Sequence, residues 1–321
     1  SRAEPHFAMP WQMRPQRQAT GSAFVLSASL RRIATNHHVV AFSTSLYVRR
    51  PGNPKKFRAS VLCAAAVCDL AIVTVDDDAF WEGMGEVTLV ADVPRVQSEV
   101  FIAGFPLGDS LGITKGIVSR ITMARYSASQ RLLSVQIDAA INGGNSGGPA
   151  FDVNGEVVGV AFSKNASSRV DNIGYLIPVQ LLHYVLHDFD RAERKFRGVP
   201  GLGFNHQTLE NENFRTSLGM DRSQSGVYVS KVDRFTPAGR VLQEGDTILE
   251  VDGERVADDG TYSFRGDERL GFLWLLRRRH VGDEVQVLIL RAGEELRVSW
   301  TLEERRVLVP SLPLVENEAW P

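Results

Sequence analysis

Asp138-Ala139-Ala140-Ile141-Asn142-Gly143-Gly144-Asn145-Ser146-Gly147-Gly148-Pro149 sets a single serine among four glycines, between the strand-forming runs Leu132–Ile137 and Val157–Phe162. Glycines let the backbone turn tightly and let a substrate carbonyl approach closely, and the amides of Gly144 and Ser146 can converge as an oxyanion hole. A serine hydroxyl alone is a weak nucleophile, because it needs a base and a group that orients the base. Without those partners the stretch reads as an ordinary turn, so its meaning depends on what lies upstream.

Both partners are present upstream. Thr35-Asn36-His37-His38-Val39-Val40 follows the strand-like Arg32–Ala34, and Asp69 directly precedes the apolar run Leu70–Val75. The order His, Asp, Ser is that of the chymotrypsin-like β-barrel proteases and differs from the orders of subtilisins and α/β-hydrolases. The surrounding pattern agrees: Ala23–Leu26, Leu46–Arg49, Phe57–Ala65, Val100–Ala103 and Gly116–Thr122 are short strand-like runs. Turn signals at Pro51–Pro54, Gly108–Asp109 and Asn154–Gly155 separate them, as in an all-β barrel. After Pro178, apolar residues at Val179, Leu182, Val185, Leu186 and Phe189 predict a helix, followed by a charged linker that begins at Asp188.

A second unit is expected beyond the linker, with strands Gly226–Val232, Thr247–Val251, Val285–Arg291 and Glu295–Leu302 around a helix near Asp267–Arg279, and a turn at Ala292–Gly293. The resulting plan is a lead-in over 1–20, a first domain over 21–190, a linker over 191–197, a second domain over 198–304 and a tail over 305–321 that has no element of its own.

Composition narrows the function. With 43% hydrophobic and 23% charged residues in 321, the chain can bury two cores and is too apolar for disorder. A net charge of −2 provides no field for nucleic acid or an anionic membrane, so neither is an expected partner. No run reaches the ~18 to 20 apolar residues of a membrane span, and residues 1–20 lack the apolar core of a signal peptide. Cys63 and Cys68 are expected as buried free thiols. His183 and His187, one helical turn apart, lack an acidic or cysteine partner on their face and read as solvated, so no metal site is expected. Arg277-Arg278-Arg279 reads as the basic end of a helix. No phosphate-binding Gly-x-x-x-x-Gly-Lys loop is present, and hydrolysis by such a triad needs no cofactor.

Thr35-Asn36-x-His38-Val39-Val40, Asp69-Leu70-Ala71-Ile72-Val73 and the Asp138–Pro149 segment together resemble the HtrA/Deg family of serine proteases. Gly104–Gly108, Lys115–Ser119 and Asn172–Pro178 match further segments of that family. Phe80-Trp81-Glu82-Gly83 and Phe264–Arg269 are similar to its plant and algal branch. The resemblance implies a chymotrypsin-like double β-barrel followed by a PDZ domain, all-β with few helices. It also implies His38 as general base, Asp69 as its orienting acid, Ser146 as nucleophile, and the amides of Gly144 and Ser146 as oxyanion hole. His37 departs from the small residue usual there. The specificity pocket implied is apolar, built from Ala140, Ile141 and Phe162, with Asp138 the residue that would change its character if it reached inside.

In the second unit, Gly201-Leu202-Gly203-Phe204 resembles the loop and strand start that hold a peptide carboxylate, with Leu202, Gly203 and Phe204 as peptide-binding residues. Phe235–Ala238 and Glu244–Gly253 are similarly typical of PDZ domains. The implied activity is ATP-independent cleavage of unfolded or damaged proteins in quality control, by a homo-oligomer that is a trimer or a multiple of one. The implied compartment is a plastid, mitochondrion or nucleus, with the periplasm also represented in the family. The alternative is a PDZ-based peptide-binding chaperone or scaffold whose protease site is resting or silent.

Overall fold

The computed structural model describes residues 1–2, 17–106, 110–126, 130–139, 141, 144–162, 173–192 and 195–305. These residues fall into two compact units that change over between Phe196 and Arg197.

The first half of unit 1 holds strands β1 (Phe24–Ser27) and β2 (Arg32–Thr35), helix α1 (His37–Val40), strands β3 (Leu46–Arg49), β4 (Lys56–Ala65) and β5 (Leu70–Val75), and helix α2 (Asp78–Trp81). The strands make one antiparallel sheet in the order β1-β2-β5-β4-β3. β5 is buried at every position, which is why its sequence, Thr74 apart, is apolar throughout rather than alternating. Ile33, Val40, Phe57, Val73, Val75 and Phe80 form the core. Phe80 sits edge-on to Phe57 at 5.3 Å and to Trp81 at 4.9 Å, pairs each worth about 0.5–1.5 kcal/mol beyond area burial. Cys63 and Cys68 are free and buried here. Burial, with the charge of Asp188 added, pushes the Cys63 thiol up to about 12, and burial pushes Cys68 up as well.

The second half holds β6 (Glu99–Gly104), β7 (Gly112–Arg125), β8 (Arg131–Ile137), β9 (Pro149–Phe151), β10 (Val157–Phe162), β11 (Gly174–Pro178) and helix α3 (Val179–Arg191). Its strands close into a barrel in the order β10-β11-β8-β7-β6-β9, which leaves no free edge. α3 buries the apolar face set by Val179, Leu182, Val185 and Phe189. The linker does not begin at Asp188: the helix continues to Arg191 with Asp188 only 1% exposed. It continues because Phe189 extends the buried face, while Arg32 donates Nη1 to Asp190 Oδ2 at 3.0 Å and stands 5.4 Å from the Phe189 ring centroid. His183 and His187 are exposed on the opposite face, with His183 Nε2 3.2 Å from the Val90 carbonyl oxygen.

Unit 2 holds β12 (Phe204–Thr208), α4 (Glu212–Ser217), β13 (Val227–Val232), α5 (Pro237–Val241), β14 (Thr247–Val251), β15 (Glu254–Arg255), β16 (Thr261–Arg265), β17 (Glu268–Gly271), α6 (Leu273–Arg277), β18 (Glu284–Arg291) and β19 (Glu294–Thr301). The main sheet runs β12-β13-β14-β18-β19, with β15 on β14 and a separate β16–β17 hairpin. The helix expected over Asp267–Arg279 is therefore shorter, five residues at Leu273–Arg277, because residues 268–271 pair with β16 instead. Gly266 at φ +54 turns that hairpin and the Arg265–Glu268 ion pair (2.8 Å) closes it. Ala292 and Gly293 take φ +51 and +86, the left-handed pair that a tight β18–β19 hairpin requires.

Two charged groups serve the fold rather than a ligand. Asp246, 1% exposed, receives Arg291 Nε and Nη2 at 2.8 Å each. The basic run does end a helix, with Arg277 as the last residue of α6, and it is held in the fold: Arg277 is buried, and Arg279 donates Nε and Nη2 to Asp252 Oδ2 at 3.0 and 2.8 Å.

His206 lies half-buried on β12, its ring edge-on to Phe272 at 4.9 Å, and burial followed by the charge of Arg277 lowers its pKa below the ordinary 6.5. Just below that value the folded unit binds fewer protons than the unfolded chain, so this contribution to stability is full above 6.5 and lost as pH falls through the lowered pKa. Thermal melts should show Tm falling between about pH 7 and about pH 5, with a smaller fall in His206→Gln.

Candidate active site

Asn36 follows β2 as the N-cap of α1 and its side chain donates Nδ2–H to the Asp69 carbonyl at 3.0 Å, and the His37 N–H donates to the same oxygen at 3.1 Å. Asp69 ends the 3₁₀ turn Ala66–Cys68 in the left-handed region, at φ +51 and ψ +38. With that conformation both its carbonyl and its carboxylate meet the start of α1. Oδ1 accepts the His38 backbone N–H at 2.8 Å, and Oδ2 lies 2.7 Å from His38 Nδ1. A carboxylate only accepts, so Nδ1 carries the proton and Nε2 presents its lone pair. The Asp69 side chain is 9% exposed and that of His38 43%, so the carboxylate is dry while the imidazole is open. Of the two adjacent histidines, His38 is the one on the carboxylate. Burial lowers the His37 pKa, with Asp69 opposing the shift and His38 and Arg2 adding to it.

The serine turn packs onto the same place. The Ser146 carbonyl accepts the Ser22 N–H at 2.8 Å, and the Gly147 N–H donates to Ala161 on β10 at 2.9 Å. Gly147, at φ +87, has no room for a side chain: a Cβ there would stand 2.2 Å from Ser22 O, 2.4 Å from Thr35 Oγ1 and 3.1 Å from Asn36 N. The turn thus presses against the two residues that lead into α1. Ser146 and Asn145 are buried, and Gly144 takes φ +103.

Around this site, Phe162 is buried, stacks on Tyr126 at 5.3 Å and 12°, and lies 6.3 Å from the His38 ring. Ile141 is half-buried, whereas Ala140 lies outside the described residues, as do Asn142 and Gly143. Asp138 is pinned on the neighbouring strand: its Oδ1 accepts the Ile117 N–H at 2.6 Å and its own N–H donates back to Ile117 O at 3.2 Å.

In unit 2, Leu202 and Gly203 precede β12, which has β13 as its neighbour and forms one edge of the main sheet. Gly203, at φ +72, would place a Cβ 2.2 Å from Thr236 Oγ1, so the Gly201–Phe204 and Phe235–Ala238 motifs meet at this glycine. Ser22 is the residue that sequence reasoning missed at the site: it sits one position before the strand-like run Ala23–Leu26, and nothing in the local pattern distinguishes it.

Comparisons with known proteins agree with this geometry. Residues 21–160 match the trypsin-like peptidase domain and residues 200–302 the PDZ domain. The chain is 41% identical over 308 residues to "Protease Do-like 2, chloroplastic" of Arabidopsis thaliana, covering 95% of this chain and 50% of the relative. It is 36% identical over 293 residues to "Protease Do-like 4, mitochondrial" of the same plant, covering 91% and 55%. Among solved structures, "HtrA-type protease AlgW with decapeptide" superposes with a TM-score of 0.70 at 26% identity, covering 92% of this chain and 86% of that one. The chain spans about half the length of the curated relatives it matches. With the two domains in this order and these relatives along most of its length, the chain belongs to the HtrA/Do-like family of serine proteases that carry a PDZ domain.

Proposed function

We propose that the protein is an ATP-independent serine endopeptidase that cleaves unfolded or damaged proteins. The observation that carries this reading is the double grip of Asp69 on His38, backbone N–H and Nδ1 together, beside a glycine-walled serine turn. In the proposed reaction His38 Nε2 takes the Ser146 hydroxyl proton as Oγ attacks the scissile carbonyl, and later returns it to the leaving amine. Asp69 holds the imidazole in the tautomer this requires, and the amides of Gly144 and Ser146 bind the oxyanion. The PDZ unit captures an extended peptide by strand addition at β12, its carboxylate on the amides around Leu202, Gly203 and Phe204. Assembly as a trimer or a multiple of one, and residence in a plastid or mitochondrion as for the plant relatives, complete the proposal.

Digestion of casein by the purified chain beside Ser146→Ala tests this. Loss of cleavage in the variant alone is the expected result, whereas cleavage in neither chain favours a peptide-binding chaperone with a silent site. Cut sites in the same digest test the pocket. Ala140, Ile141 and Phe162 are apolar, and Asp138 is engaged by Ile117, so a Lys or Arg side chain would be desolvated there without a counter-charge. Cuts should follow Val, Ala, Leu or Ile, loosely, since each fitting methylene contributes only ~1 to 3 kcal/mol. A majority of cuts after Lys or Arg would refute the apolar pocket.

A further inference from the structure

Ser22, 3% exposed and just before β1, bonds to the serine turn, to the strand that leads to His38 and to the end of β6. Its N–H donates to Ser146 O at 2.8 Å, and its carbonyl accepts Thr35 Oγ1–H at 2.7 Å, on the strand that leads to His38. Its hydroxyl donates to Gly144 O at 2.6 Å and accepts the Phe105 N–H at 2.9 Å, beyond the end of β6. The space around it is closed: a Cβ on Gly104 would lie 3.0 Å from Ser22 Oγ, and one on Gly148 3.2 Å from Ser22 Cβ.

We infer that the Ser22 hydroxyl is a positioning group for the oxyanion hole, holding Gly144 so that its amide faces the developing negative charge. This rests on the protease reading above. Two peptide planes meet at the Gly144 Cα: one carries its carbonyl, the other its N–H. A glycine at φ +103 has no Cβ to confine either plane, so an outside group must do so. Ser22 fixes the carbonyl plane by a buried hydrogen bond, so the Gly144 N–H can change its aim only through the two rotations at the Gly144 Cα, about Cα–C and N–Cα. An oxyanion donor acts only when it is aimed in advance, so a donor free to swing loses part of its effect in the transition state while substrate binding is unaffected. The link to Phe105 extends the same restraint to the chain leaving β6, so the order of that segment and the aim of Gly144 are coupled through one hydroxyl.

Ser22→Ala retains both backbone bonds and removes only the hydroxyl links. Expected is a fall in kcat on a short chromogenic peptide of about 10- to 100-fold with KM within about twofold. A peptide aldehyde, which binds as a tetrahedral adduct of the nucleophile, should weaken by the same factor as kcat. Ser22→Cys, nearly isosteric with a weaker donor, should fall between wild type and Ala, and decides the matter if Ser22→Ala does not fold. Unchanged kcat, or a fall in kcat with aldehyde affinity intact, overturns the role of Ser22. Ser146→Ala, run in parallel, separates the levels: hydrolysis that survives in that variant overturns the protease reading, and the role of Ser22 with it.

Discussion

Ser146→Ala and His38→Ala are each expected to lower peptide-bond hydrolysis by at least ~10⁴-fold, because nucleophile and base act as one unit and either loss removes the whole pathway. His37→Ala is expected to be far milder. The two histidines are neighbours in sequence but not in chemistry. Only His38 has Asp69 on both its N–H and Nδ1, while His37 contributes a backbone N–H to the Asp69 carbonyl, a bond that alanine retains. Initial rates on a short chromogenic peptide, with melts to show that each variant folds, check this. An inactive His37→Ala beside an active His38→Ala would reverse the assignment of the base.

The second large effect is expected from Asp69→Asn, again about 10⁴-fold in kcat. Asp69 Oδ1 accepts the His38 N–H at 2.8 Å, so an asparagine retains its oxygen at that position and turns its NH₂ toward Nδ1. An NH₂ group can only donate, so Nδ1 must become the acceptor and the proton moves to Nε2, the atom that has to receive the serine proton. The variant should fold, since the backbone contacts of Asp69 with Asn36 and His37 are untouched. Activity within tenfold of wild type in Asp69→Asn would show that His38 is not oriented through this carboxylate.

Much of this was legible in the sequence because it is local. Leu46–Arg49, Leu70–Val75, Val157–Phe162 and Thr247–Val251 were expected as strands at the bounds observed, since continuous or alternating apolar runs between turn residues leave little choice. Glu268–Gly271 reads as helix in the sequence because its charges fit either period, whereas the deciding contact, its pairing with Thr261–Arg265 around Gly266, is a turn property. By its charge Asp188 reads as linker, whereas its neighbours Val185 and Phe189 keep it on the buried face of α3.

Residue order alone points to a histidine and Asp69 as partners of Ser146, and the family resemblance is what selects His38 over His37 for the pairing observed. The hub at Ser22 could not be expected from either. Its partners Phe105 and Gly144 lie 83 and 122 residues away, and a serine before a strand has no distinguishing local signature. The same holds for Asp138, whose engagement by Ile117 depends on how β7 and β8 lie side by side.

Covalent labelling with a fluorophosphonate, followed by peptide mass spectrometry, tests the central claim most directly, because the reagent reports an activated serine whatever the natural substrate is. The predicted result is one adduct per chain, on the peptide that contains Ser146, absent from Ser146→Ala and strongly slowed in His38→Ala. An adduct at another residue that persists in Ser146→Ala, or casein cleavage by a chain whose Ser146 never labels, would contradict it.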